Sequence, residues 1–261
     1  MPSIIDTSPL TNIAQCFNPS AGNVSPMRGM IHQLNRLPSV CQICHAWPSQ
    51  PLCVPCVERF AQPKLRCPTC ALAHNPGQVT CRNCAEHPSP LDACVAAVSY
   101  DFPWTDCIAR FKFMAEPSLA RTLASLMRHA PWIEPALDAA SLVIPMPLTR
   151  ARLRERGYNQ ALELARHLAP NKTDIHTLLR SGDSPHQVGA TREVRLKQVR
   201  QTFWIVPHYV NKLRGQRIVL LDDVMTTGAS LYEAARALRA AGAAHITGIV
   251  LARAEFYNPD P

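Results

Sequence analysis

The stretch Ile218–Ser230 constrains this chain more than any other. Ile218, Val219, Leu220 and Leu221 form an unbroken aliphatic run, which reads as a strand buried on both faces, as in a parallel sheet. Asp222 and Asp223 stand at its C-terminal end, followed after Val224 and Met225 by the loop Thr226, Thr227, Gly228, Ala229 and Ser230. Beyond the loop, Leu231, Ala234, Ala235, Leu238 and Ala241 recur at helical spacing, with Gly242 as the C-cap. A small-residue loop entering a helix N-terminus presents backbone N–H groups and the positive end of the helix dipole, which suit a phosphate. Thr226, Thr227 and Ser230 add hydroxyl donors, and Gly228 lets the backbone approach closely. Carboxylates just before such a loop accept hydrogen bonds from vicinal hydroxyls such as those of a ribose. The order therefore suits a ribose 5-phosphate; the bland alternative is a strand–helix turn with a solvated acid pair.

The stretch resembles the phosphoribosyl-pyrophosphate (PRPP) motif of the type I phosphoribosyltransferases along its full length: four hydrophobic residues, two acids, two hydrophobic residues, and a Thr/Gly/Ser loop. Members of that class that carry a base for a purine place an Asp three residues after the second acid. Here that position is Thr226, so the loop supplies no obvious general base.

Eight of the eleven cysteines fall in four Cys-x-x-Cys pairs: Cys41/Cys44, Cys53/Cys56, Cys67/Cys70 and Cys81/Cys84. The N-terminus lacks a basic region followed by an apolar one, so no secretory signal is read there, and the pairs read as metal ligands rather than disulfides. Two knuckles complete one tetrahedral zinc site, so eight thiolates make two closed sites, structural rather than catalytic. The segment has few large apolar residues, and metal must supply much of its folding free energy. Zinc is the expected ion, an iron–sulfur cluster the alternative. Sequential pairing, the first two knuckles on one ion and the last two on the other, is expected over crossed pairing. His45, His74 and His87 read as loop histidines, and Cys94 and Cys107 as core cysteines.

The rest of the chain falls in place around these two features. Residues 1–30 are rich in Ser, Pro and Asn, and a disordered tail is expected over 1–38, with Met27 and Met30 as alternative starts. A zinc module is expected over 39–92 and an α/β domain over 93–257. Strands are expected at Ala93–Tyr100, Ser141–Ile144, Phe203–Val206 and Ile246–Arg253. Helices are expected at Ser118–His129, with Ser118 as N-cap, and at Ala161–Leu168. Pro145, Met146, Pro147 and Leu148 form a rigid loop at the C-terminal end of a strand, the edge where α/β sheets bind ligands. Arg150, Arg152, Arg154 and Arg156 either clamp a pyrophosphate or open a solvated basic helix. Arg156, tied to the turn Gly157-Tyr158-Asn159-Gln160, is the most specific of the four. Lys112 reads equally as a phosphate ligand or a solvated helix-end lysine. Arg180–Arg200, which holds Gln187, Arg192, Arg195, Lys197 and Arg200, is polar and basic; it reads as a lid over substrate or as a flexible insertion that does nothing or touches nucleic acid.

A hydrophobic content of 47% supports a packed core, and no run of about eighteen apolar residues offers a membrane span. A formal charge of +8 favours phosphate-bearing partners without choosing among them.

Taken together, from about Val40 to Arg253, the chain resembles the ComF family: competence-associated, phosphoribosyltransferase-like proteins with an N-terminal double zinc ribbon. The four Cys-x-x-Cys pairs, Phe111-Lys112-Phe113, Ile144–Leu148, Arg154–Gln160 and Ile218–Ser230 appear in the family's order. Two positions depart from it: Tyr158 where the family has Phe, and Gln198 in a downstream Arg-x-x-Asn pattern read at Arg195. The resemblance implies a type I phosphoribosyltransferase-like parallel sheet flanked by helices, a cytoplasmic protein, a PRPP site with Mg²⁺, and a link to DNA uptake. Two functions fit. One is Mg-dependent phosphoribosyl transfer: Asp222 and Asp223 act on the ribose, Thr226–Ser230 hold the 5-phosphate, and Pro145–Leu148, Arg156 and Lys112 face the pyrophosphate. The other is a non-catalytic single-stranded DNA-binding factor, in which the zinc ribbons also meet a protein partner and PRPP is at most regulatory.

Overall fold

The structure, a computed structural model, describes residues 39–74, 79–180 and 202–255. The tail expected over 1–38, with Cys16, Met27 and Met30, lies outside the described residues, as does the basic segment 181–201. Two short helices, α1 (Val54–Phe60) and α2 (Arg82–Glu86), lie in the cysteine-bearing segment. They are followed by β1 (Ala93–Ser99), α3 (Trp104–Phe113), α4 (Leu119–His129), α5 (Ile133–Ala139) and β2 (Leu142–Pro145). Next come α6 (Arg150–Arg156), α7 (Gln160–Leu168), β3 (Leu178–Arg180) and β4 (Phe203–Ile205). A 3₁₀ turn at Pro207–Tyr209 then leads through α8 (Val210–Leu213) to β5 (Arg217–Met225), α9 (Ala229–Ala240) and β6 (His245–Arg253).

Four strands form a parallel sheet in the order β1-β6-β5-β2. The central strands are the aliphatic ones, as burial on both faces requires: Ile218 to Leu221 on β5 and Ile249 to Ala252 on β6 are essentially solvent-free. On α9, Leu231, Ala234, Ala235 and Leu238 form the buried stripe; the alanines let the helix lie close to the sheet. Leu119, Leu123, Leu126 and Met127 do the same for α4. Ser118 occupies the N-cap position of α4 without a side-chain capping bond. The preceding turn takes up the first N–H groups instead, Leu119 N–H donating to Glu116 O and Ala120 N–H to Pro117 O. Ala241 is the C-cap of α9, and Gly242 follows it at φ +97°.

The strand expected at Phe203–Val206 does not join the parallel sheet. Its Phe203–Ile205 part pairs antiparallel with Leu178–Arg180 as a separate two-stranded ribbon.

The cysteine-bearing segment is anchored on the sheet side by specific bonds. Trp104 on α3, fully buried, donates its indole N–H to Phe60 O at 2.8 Å. Arg110 donates to Gln42 Oε1 at 3.0 Å. Cys94 N–H on β1 donates to Pro68 O at 2.7 Å. Among the described residues no helix is long and apolar enough to cross a membrane.

Candidate functional site

The carboxyl end of β2 lies beside the middle of β5, with Pro145 opposite Leu221 and Met146 N–H donating to Leu221 O at 2.8 Å. The Pro145–Leu148 loop therefore leaves the sheet beside Asp222 and Asp223, while β5 runs on to Met225, paired with β6, before the Thr226–Ser230 loop. Pro145 and Met146 are buried, while Pro147 and Leu148 are half-buried. In the last half of β5, Asp223 is 6% exposed and Asp222 keeps part of its surface open. The Asp222 carboxylate accepts the Asp223 backbone N–H at 2.9 Å. Burial of its surroundings, with the Asp223 charge beside it, raises the Asp222 pKa to about 7; Lys112 and Arg156 pull against that rise. Both cations thus face the acid pair. Lys112, at the end of α3, puts Nζ 2.9 Å from Asp223 Oδ1.

Arg156 ends α6, whose N-cap is Thr149 and whose C-cap is Gly157 in the left-handed region. Its guanidinium donates to Gln160 Oε1 at 3.1 Å and lies 5.6 Å from the centre of the Phe113 ring. Arg150, Arg152 and Arg154 are exposed, whereas Arg156 is half-buried. The next turn explains why Arg156 alone is held at the site. Tyr158 donates its hydroxyl to Phe111 O, and Gln160 donates its amide to the same carbonyl at 3.5 Å. Asn159 caps α7 by accepting from Leu162 N–H and donates to Met146 O at 3.0 Å. One turn thereby fastens the helix end that carries Lys112 to the Pro145–Leu148 loop. Tyr158, the departure from the family's Phe, adds a hydroxyl bond that Phe lacks.

The Thr226–Ser230 loop rises from β5 into α9. Gly228, at φ +84°, is the N-cap; a Cβ there would sit 2.5 Å from Met225 Cε and 2.8 Å from the Tyr232 ring. Thr226, Thr227 and Ala229 are exposed, Ser230 is half-buried, and the Thr227 hydroxyl accepts Ala229 N–H at 3.3 Å. The structure thus brings Asp222, Asp223, Thr226–Ser230, Pro145–Leu148, Arg156 and Lys112 to one edge of one sheet. Sequence reasoning passed over Arg253, whose buried side chain bonds to the carbonyls of Met225 and Thr226 from beneath the loop. The available signal was a charged residue closing the buried run Ile249-Val250-Leu251-Ala252.

The cysteines gather as two sequential tetrads, Cys41/Cys44/Cys53/Cys56 and Cys67/Cys70/Cys81/Cys84, the sulfurs of each within 4.8 Å of one another. Zinc–sulfur bonds of about 2.3 Å imply sulfur–sulfur edges of about 3.8 Å in a tetrahedron. The Cys44–Cys53 and Cys70–Cys81 sulfurs are 3.6 Å apart, so both tetrads fit such an ion. The two differ in setting. All four cysteines of the second are buried, whereas Cys44 is exposed and Cys53 half-buried in the first. Both groups consist of cysteines alone; His45 and His87 are exposed and His74 is half-buried. Cys94 and Cys107 are buried as core residues, and burial pushes the Cys94 thiol up to about 12.

The parallel sheet, the acid pair and the small loop at a helix N-terminus are the features of a phosphoribosyltransferase-type domain. Residues 153–259 match the phosphoribosyl transferase domain family. The chain is 33% identical over 184 residues to Competence protein F of Haemophilus influenzae, covering 67% of this chain and 78% of that protein. It is 26% identical to the DNA utilization protein YhgH of Escherichia coli O6:H1, over 80% of this chain and 95% of that one. It is 27% identical to Competence protein ComFC of Bacillus subtilis, over 79% of this chain and 85% of that one. The chain belongs to the ComF family.

Proposed function

We propose that the chain binds PRPP with Mg²⁺ and transfers the phosphoribosyl group to an acceptor with release of pyrophosphate. The observation that carries this reading is the convergence of Asp222, Asp223, Lys112 and Arg156 beside the Thr226–Ser230 loop at the carboxyl edge of the sheet. Asp222 and Asp223 accept the ribose hydroxyls. Thr226–Ser230 hold the 5-phosphate with backbone N–H groups, hydroxyls and the helix dipole. Arg156 and the Pro145–Leu148 loop face the pyrophosphate. Lys112, paired with Asp223 in the free protein, is close enough to share its donors with a bound anion. Mg²⁺, when bound with the ligand, would be held mainly by ligand oxygens and water, as is usual for that ion, and would supply neutralisation of the pyrophosphate charge. The acceptor's nucleophile attacks the anomeric carbon as the bond to pyrophosphate breaks, and the acceptor's proton passes to the departing pyrophosphate or to solvent, since Thr226 offers no base. Residues 39–92 form a zinc module and 93–257 the transferase-like domain, in the cytoplasm.

Calorimetry with Mg-PRPP tests this reading. Binding by the wild type that is lost in the Asp222→Asn, Asp223→Asn double variant is the expected result. No binding by zinc-loaded wild type sinks it.

A second reading has its own support: the relatives' names speak of competence and DNA utilization, and Trp47, 63% exposed, stands beside the first tetrad. The zinc module then grips single-stranded DNA by stacking and phosphate contacts. Affinity for a single strand that falls steeply with salt is expected, and salt-insensitive or absent binding counts against it.

A further inference from the structure

Arg253 closes β6 and is 4% exposed. Its guanidinium donates to backbone carbonyls through Nε and Nη1. Nε donates to Cys70 O at 2.8 Å, and Nη1 is shared among Met225 O at 3.1 Å, Thr226 O, and Ala254 O at 2.6 Å. Cys70 belongs to the buried tetrad, while Met225 and Thr226 lead into the small loop. One buried side chain thus joins a metal-ligating knuckle to the segment that receives the phosphate.

The direction of these bonds matters. In a planar trans peptide the N–H points opposite to the carbonyl. Met225 O is held both by Arg253 and by Ala254 N–H at 2.9 Å, and Thr226 O by Arg253, so the N–H groups of Thr226 and Thr227 point away from Arg253. The Thr226 and Thr227 residues are themselves exposed. The knuckle itself is fixed from several directions. Arg66 donates to Ala71 O at 2.9 Å, Ala71 N–H donates to Cys67 O at 2.9 Å, and Pro68 O accepts from Cys94. Cys94 also brings its sulfur within 3.7 Å of Met225 Sδ. Electrostatics act in the same sense. A buried guanidinium is costly unless compensated, and four thiolates around a divalent ion leave net negative charge beside it. Removing the metal frees the knuckle that orients Cys70 O.

We propose that Arg253 is a positioning residue through which metal in the Cys67/Cys70/Cys81/Cys84 tetrad sets the shape of the Thr226–Ser230 loop, and hence its affinity for the phosphate end of the ligand. The ligand half of this proposal rests on the reading of the site as a PRPP site. Linkage is reciprocal, so a ligand favoured by metal must itself tighten the metal by the same factor.

The test uses the full zinc-loaded chain and its Arg253→Met and Arg253→Lys variants. Three quantities are read: amide hydrogen exchange over 225–229, Kd for Mg-PRPP, and equilibrium zinc affinity against a chromophoric chelator with and without Mg-PRPP. In Arg253→Met, with both zinc ions retained, exchange over the loop speeds up and Kd rises by about tenfold or more, the size of a lost charge-assisted hydrogen bond. Arg253→Lys, which keeps the charge but not the fork, falls between the two. In the wild type Mg-PRPP tightens zinc in the buried tetrad, and the methionine variant loses that effect. Wild-type exchange and Kd in Arg253→Met, or zinc affinity indifferent to ligand in the wild type, overturns the proposal. Should the methionine variant fail to fold, the lysine variant decides by the same readouts. If the wild type binds no PRPP, the function proposed above falls, and the exchange comparison alone decides the role of Arg253.

Discussion

The Lys112 ammonium lies 2.9 Å from Asp223 Oδ1, with both side chains largely withdrawn from solvent at 14% and 8% exposure. Asp223 has Asp222 as its chain neighbour, so the lysine offsets one of two adjacent carboxylates. Replacing Lys112 by Met leaves a desolvated carboxylate uncompensated and is expected to cost about 3 kcal/mol. The double variant Lys112→Met, Asp223→Asn is expected to recover most of that loss. Urea unfolding of the four proteins in the cycle measures the coupling, and a strictly additive result would show that the pair does not interact.

The raised Asp222 pKa has a pH signature with a definite sign. The folded protein holds a proton on Asp222 from the ordinary value of 3.8 up to about 7, where the unfolded chain has released it. This group therefore favours the fold most at low pH; its contribution falls as pH rises through that window and levels off above about 7. Asp222→Asn flattens this slope, so its stability relative to wild type is higher at pH 8 than at pH 5. Binding of Mg-PRPP, which needs the ionised acceptor, strengthens from pH 6 to pH 8 in the wild type and loses that dependence in the variant. Calorimetry at several pH values, corrected for titration of PRPP itself, reads this directly.

Gly228→Ala meets two obstacles at once. The left-handed φ of +84° disfavours any Cβ, and the new atom lands on Met225 Cε and the Tyr232 ring. Backbone strain alone is worth about 1–2 kcal/mol. The methionine tip can swing aside, whereas the ring is fixed by packing. The expected outcome is a folded protein with lower Tm and at least tenfold weaker Mg-PRPP binding. A variant with unchanged affinity would remove this loop from the binding site.

Metal should leave in two phases. The first tetrad has Cys44 exposed and Cys53 half-buried, while all four cysteines of the second are buried. Chelation followed by metal analysis is expected to release about one zinc per chain quickly and the other slowly. Because Trp104 bonds to Phe60 O, which follows the first tetrad, tryptophan fluorescence changes with the fast phase. A single phase for both ions would contradict the assignment.

Much of this protein was legible in its sequence because the deciding signals are local. The aliphatic run of β5, the small loop and the stripe of α9 follow from residues adjacent or a helical turn apart, and the fold keeps them as read, except that β5 continues through the two acids to Met225 instead of ending before them. The Cys-x-x-Cys knuckles are equally local, and sequential tetrads need only short connections. Three things were not legible. The Phe203–Ile205 strand pairs with Leu178–Arg180 rather than with the main sheet, a choice made by partners across an intervening segment. Lys112 has no sequence feature that separates a solvated helix end from an ion pair with Asp223. Arg253 meets Cys70, 183 positions away, only because β6 lies beside β5 and the second tetrad packs against both β1 and that corner of the sheet. Local chemistry is written in residue order, whereas the compensation of a buried charge depends on which distant carbonyls or carboxylates the packed core brings within about 3 Å.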